Sequence, residues 1–166
     1  PLIRFVKSRL FAGIGTSLYE LIGSGPTLPT ALYTHPASGW TWSDFSEGPQ
    51  AIYAAGYVGD QSMIYKVGVS STPSTVTLDQ PIVVADLPRG EKVLSLYSYV
   101  GSYLIVGTSK GVRVALIQTD GSLSLGPLVV EIPSGVYDAV ADGSFVCVTA
   151  GTNGEAGDRA TQGGLY

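Results

Sequence analysis

The chain has 166 residues, only 13% of them charged, with a net charge of −4, 22 glycines, 10 prolines and a single cysteine. Nine basic residues scattered singly exclude a phosphate-binding surface, so no nucleic-acid partner is expected. The lone Cys147 excludes an internal disulfide framework, and the longest apolar runs are too short for a membrane span.

This composition suits many short strands joined by tight turns, with Ser and Thr on the wet surfaces. No stretch longer than about ten residues has helical periodicity. The chain opens on Pro1 just before the apolar Leu2-Ile3, and the basic group Arg4, Lys7 and Arg9 that follows reads as a solvated strand end. Ile3 to Val6 is the first predicted strand. Leu10 to Gly15, followed by Ser17 to Leu21, is a hairpin; its Gly13-Ile14-Gly15 lacks the third glycine and the helix of a dinucleotide fingerprint. A short strand follows at Ala31 to Tyr33, then His35 in Tyr33-Thr34-His35-Pro36, which reads as a solvated loop histidine. One His and one Cys cannot build a zinc site.

Trp40 and Trp42 would share a face in an extended segment. Exposed, they form a stacking platform for sugar rings or a partner; buried, they fill the core between sheets. The second hairpin is Ala51 to Gly56 followed by Met63 to Val67, with Ile82 to Ala85 as its sequel and a turn at Pro88-Arg89-Gly90. Val93 to Val100 is predicted as a strand, with Tyr97 and Tyr99 as a core pair. The third hairpin is Tyr103 to Gly107 followed by Val112 to Leu116. Between its arms, Gly107-Thr108-Ser109-Lys110-Gly111 has the letters of a nucleophile elbow but leads into a strand, and the only histidine precedes it, so it reads as a β-turn.

Asp120-Gly121 and Asp142-Gly143 are tight-hairpin signals, flanking predicted strands at Leu128 to Ile132 and Val136 to Ala141. The fourth hairpin is Phe145 to Gly151 followed by Gly163 to Tyr166. In it Cys147 reads as a small buried hydrophobe. Its long Gly-rich connection carries Asn153, Glu155, Asp158 and Arg159, oxygen-rich candidates for binding without EF-hand spacing. The acids Asp44, Asp60, Asp86, Glu131 and Asp138 lie apart in sequence, giving no local carboxylate pair for a glycosidase.

The four hairpins share one layout, and Gly15, Gly56, Gly107 and Gly151 recur near the 40–50-residue period of four-stranded propeller blades. The expectation is an all-β, propeller-like array of about three and a half antiparallel blades spanning 1–166, both ends looking cut from a longer chain. A β-sandwich is the alternative. In this reading the glycines end strands, where a small residue turns freely.

The runs Arg9 to Leu21 and Tyr103 to Val112 resemble the hairpins of propeller proteins. With the Ser/Thr/Gly-rich surface and Val136 to Ala141, the chain resembles minor tail proteins of long-tailed phages, especially those infecting actinobacteria. It lacks the Gly-His…Trp-Asp pair and the kelch glycines of better-known propellers. The resemblance implies a non-enzymatic structural and adhesion component without cofactor, located in a virion tail. Its partners would be other tail proteins, in an oligomer, and a host cell-surface glycan. A secreted or surface carbohydrate-binding propeller is the second reading, and a propeller hydrolase or lactonase the third.

Overall fold

The computed structural model describes residues 1–21, 27–49, 51–68, 81–142, 145–150 and 164–165. The described residues form strands and turns and contain no helix, hence none long and apolar enough to cross a membrane. The strands make four antiparallel sheets, each built from strands consecutive in the chain. The first sheet holds β1 (Leu2–Val6), β2 (Arg9–Ile14), β3 (Ser17–Glu20) and β4 (Tyr33–Thr34). The second holds β5 (Thr41–Glu47), β6 (Ala51–Val58), β7 (Gln61–Gly68) and β8 (Ile82–Asp86). The third holds β9 (Val93–Tyr99), β10 (Tyr103–Thr108), β11 (Gly111–Ile117) and β12 (Leu123–Glu131), and the fourth β13 (Val136–Asp142), β14 (Phe145–Ala150) and β15 (Gly164–Leu165).

Each predicted hairpin is a neighbouring pair within one sheet: β2–β3, β6–β7 and β10–β11 are the central pairs of their sheets, and β14–β15 closes the three-stranded fourth. One strand escaped the sequence reading. In β5 the alternation of Thr-Trp-Ser-Asp-Phe-Ser-Glu is broken by a bulge between Trp42 and Asp44, so Trp42, Asp44, Phe45 and Ser46 are all buried. The third sheet's last strand also begins earlier than expected, at Leu123, because its edge position tolerates Pro127.

Three clusters of buried side chains lie between successive sheets. Phe11 and Leu18 of the first sheet pack on Trp42, Phe45, Ile52 and Tyr65 of the second. Tyr53, Ala55 and Ile64 then meet Val93, Leu96, Leu104 and Val106 of the third, and Ile105 and Val112 meet Val136, Ala139 and Val148 of the fourth. A fully buried Leu, Ile or Val contributes roughly 1.5–3 kcal/mol, so these layers hold the sheets together. The leading strands follow one another in space as in sequence, β5 beside β1, β9 beside β5 and β13 beside β9.

The recurring glycines have a different task from the one their spacing suggested. Gly15 does turn the chain, with φ +56° between β2 and β3. Gly56 and Gly107 instead lie within strands, where they make room for packing, and Gly151 lies outside the described residues. A Cβ on Gly56 would stand 2.5 Å from the Trp40 ring and 2.7 Å from the Thr41 carbonyl. On Gly107 it would collide with Ser95 Oγ and stand 2.7 Å from the Val136 carbonyl of the next sheet. Gly13 likewise admits Trp42. Gly107→Ala should therefore lower stability by about 1–3 kcal/mol, the range for overpacking a tight interface. Chemical denaturation of the variant measures this; an unchanged midpoint would mean the third and fourth sheets meet elsewhere.

Candidate functional site

The four leading strands wall one open cavity of about 670 Å³. β1 and its turn contribute Arg4 to Ser8, β5 contributes Asp44 to Glu47, β9 Leu96 to Ser98, and β13 Asp138 to Val140. Because side chains alternate along a strand, one set from each leading strand can face this space while the other enters the layers between sheets.

Polar bonds between leading strands line the cavity. Asp44 is 3% exposed, and its Oδ1 accepts from Phe45 N and from Arg4 Nε, both at 2.9 Å. Its Oδ2 accepts from the Leu96 amide of the third sheet at 2.9 Å. Burial pushes the Asp44 carboxyl above its ordinary value, against the opposing pull of the Leu96 and Phe45 amides and of Arg4. Both oxygens accept, so Asp44 ties three strands together, its own β5 to Arg4 of β1 and Leu96 of β9. At the mouth, Lys7 and Ser8 occupy the left-handed region with φ 48° and 60°. That conformation costs energy in residues other than glycine. It is offset by Lys7 N donating to Glu47 Oε2 at 3.1 Å and Lys7 Nζ donating to the Pro49 carbonyl at 3.2 Å.

A short polar side chain follows the leading-strand bulge in three sheets: Asp44, Ser95 and Asp138. Ser95 Oγ donates to the Val136 carbonyl of the fourth sheet at 3.1 Å. Asp138 Oδ1 accepts from Ala139 N at 2.9 Å, as Asp44 Oδ1 does from Phe45 N. Sequence reasoning missed this device, although an Asp inside an apolar strand, where β-propensity is poor, was a signal.

Of the dispersed acids, Asp44 and Asp138 thus come to one cavity. Asp60 is drawn off into an exposed pair with Arg89 at 3.0 Å, and Asp86 and Glu131 are exposed elsewhere. Among the described residues no group of three or more His, Cys, Asp or Glu is placed to hold a metal ion. Asn153, Glu155, Asp158 and Arg159 lie outside the described residues. Ser109 sits in the two-residue turn between β10 and β11, its Oγ accepting from Lys92 N at 3.0 Å, so the Gly-x-Ser-x-Gly stretch is a hairpin turn.

Trp40 and Trp42 belong to the core. They are 1% and 4% exposed and meet edge to face at 5.5 Å, so neither ring offers a platform to a sugar. His35 is not solvated, as its loop position suggested, but buried. It stacks on Trp40 with centroids 3.9 Å apart and planes 9° apart. Its Nδ1 accepts from Ala37 N at 3.1 Å, which leaves Nε2 to donate to Tyr65 Oη at 2.8 Å. Arg9, expected in a solvated patch, is buried against Glu20 at 3.3 Å. Cys147, expected in the core, is half-buried, because its register partner Val140 stands on the face of the fourth sheet turned away from the third. Tyr97 and Tyr99 are partly buried against the third cluster.

Burial holds the His35 imidazole below its ordinary value and pushes the Tyr65 phenol up to about 12, helped there by Tyr33 and Asp86. Protonating His35 would bury a charge and set an N–H against the Ala37 amide. The unfolded chain therefore takes up this proton first, and stability falls as pH drops below about 6.5 toward the lowered folded value. The raised carboxyl of Asp44 acts in the opposite sense, so the useful comparison is between wild type and His35→Phe. Thermal melts from about pH 7.5 to 5.5 should show a larger loss in the wild type than in the variant. Equal losses would place the titration elsewhere.

Comparison with protein-family models, with curated proteins and with solved structures returns no match.

Proposed function

We propose that this chain is a propeller-like array of sheets serving as a non-enzymatic structural and adhesion component of a phage tail. It would contact other tail proteins and, through its loops, a glycan on the host surface. The observation that carries this reading is the exposure of apolar side chains on the two terminal sheets. Ile3 and Phe5 are 53% and 70% exposed on the first, Val140 and Phe145 55% and 75% on the fourth. Contiguous exposed apolar surface marks interaction sites, and a low charge content suits faces buried against neighbours.

Four sheets in chain order, their leading strands around one cavity, support the propeller-like arrangement over a two-layer sandwich, in which hairpins would join two common sheets. The bonds of Asp44 to Arg4, Phe45 and Leu96 favour a scaffolding role for the cavity carboxylate over acid–base work. A sugar-binding role through Trp40 and Trp42 loses its platform because both rings are buried.

Mass spectrometry of purified particles from the phage that carries this gene tests the proposal. The chain should be recovered with the tail fraction, and its gene should lie among tail genes. Particles that lack it would overturn the reading.

A further inference from the structure

The junctions from the second sheet to the third and from the third to the fourth follow one rule. In the second and third sheets, the polar side chain after the leading-strand bulge reaches the leading strand of the next sheet: Asp44 Oδ2 to Leu96 N at 2.9 Å, Ser95 Oγ to Val136 O at 3.1 Å. Asp138 has the same place in the fourth sheet and the same bond to its own following amide. Its second oxygen has no partner among the described residues, and the residue is exposed. Register shows which way it points. Val136, Ala139 and Val148 face the third sheet, so Asp138, Val140 and Cys147 stand on the opposite face.

The first sheet is the complement. Leu2, Val6, Phe11 and Gly13 face the second sheet, which leaves Ile3, Phe5, Leu10 and Ile14 on an apolar face with no sheet against it among the described residues. Its leading strand β1 is an edge strand, and among the described residues no strand pairs with its outer side. The second and third sheets each set an apolar face on the next sheet and tie the leading strands with one such polar bond. The fourth sheet offers the first half of such a junction, and the first sheet offers the second half.

We propose that two copies of this chain associate head to tail, the outer face of the fourth sheet of one copy on the outer face of the first sheet of the other. Val140 and Phe145 pack against Ile3 and Phe5, and Asp138 accepts a backbone N–H from the edge of β1. The contact is heterologous, so it closes into a ring or runs on according to the rotation it imposes. It continues the interface that already joins the internal sheets and holds whether or not the assembly belongs to a virion.

Sedimentation velocity on the full chain tests this with Phe5→Glu and Val140→Glu, both at exposed positions, so the far-UV circular dichroism should stay unchanged. The wild type should sediment as complexes larger than one copy. Each variant alone should associate at least about tenfold more weakly. Mixed one to one, the two variants should form a pair, because each supplies the face the other has lost. Asp138→Ala should weaken wild-type association without changing the fold. A wild type that stays a single copy, an association damaged by only one of the two variants, or a mixture that fails to pair would each overturn the proposal.

Discussion

Arg113→Ala should destabilise the fold by about 3–5 kcal/mol, the range for a buried charge stripped of its partner. Glu91 lies between β8 and β9 and is 1% exposed. Its two oxygens accept from Arg113 Nε and Nη2, each at 2.8 Å. Arg113 Nη1 donates to the Gly126 carbonyl at 3.0 Å, so one guanidinium in β11 also secures β12. Burial alone would raise the Glu91 carboxyl, but the bonds from Arg113 and Thr108 outweigh it and hold the group below its ordinary value of 4.5. The stabilisation from this pair is therefore complete above that value and is lost as pH falls through the lowered one. In Arg113→Ala the sign reverses. The orphaned carboxylate is driven toward protonation, and the deficit measured by urea denaturation should shrink in acid. The double variant Glu91→Leu with Arg113→Met should recover most of the loss, since well-packed apolar side chains can replace a buried ion pair at little cost. If Arg113→Ala were nearly neutral at pH 7, water would have to reach Glu91.

Trp40→Ala should cost about 3–5 kcal/mol, as expected for removing a buried indole. The ring stacks on His35, meets Trp42 and Tyr65 edge-on at 5.5 and 5.8 Å, and fills the space that Gly56 leaves. Denaturant titration measures the loss; Trp40→Phe should lose less. In the wild type both tryptophans should emit at short wavelength, and sugars should not quench them. In Trp40→Ala the exposed His35 should regain an ordinary imidazole value, so the variant's stability should depend less on pH between about 7 and 5.5. A wild-type emission typical of water-exposed indole would contradict the burial on which this argument stands.

The four hairpins were legible because each combines an apolar run with a glycine, and the first three add a short turn, all local signals. β5 was not. Its bulge places Ser43 out of step, and from there polar and apolar letters no longer sort by face. The same bulge creates the site device, because it aims Asp44 at a strand 52 residues away in sequence. His35 misled for a related reason. A lone histidine before proline reads as a loop residue, and only the return of the chain at Trp40 buries it. Glu91 and Arg113 each look like ordinary surface charges beside a turn or within a strand; their pairing exists only once β11 has folded back beside the approach to β9. The glycine spacing mixes two causes, since turning (Gly15) and close approach (Gly56, Gly107) call for the same residue.

The neighbour-to-neighbour threading of the sheets bears on how the chain reaches its native state and on how it can change. Each sheet zips from contacts close in sequence, which favours rapid formation, and docking onto a finished neighbour then adds little loop-closure cost. Units could accordingly be gained or lost between generations by duplication or deletion, without rethreading those that remain.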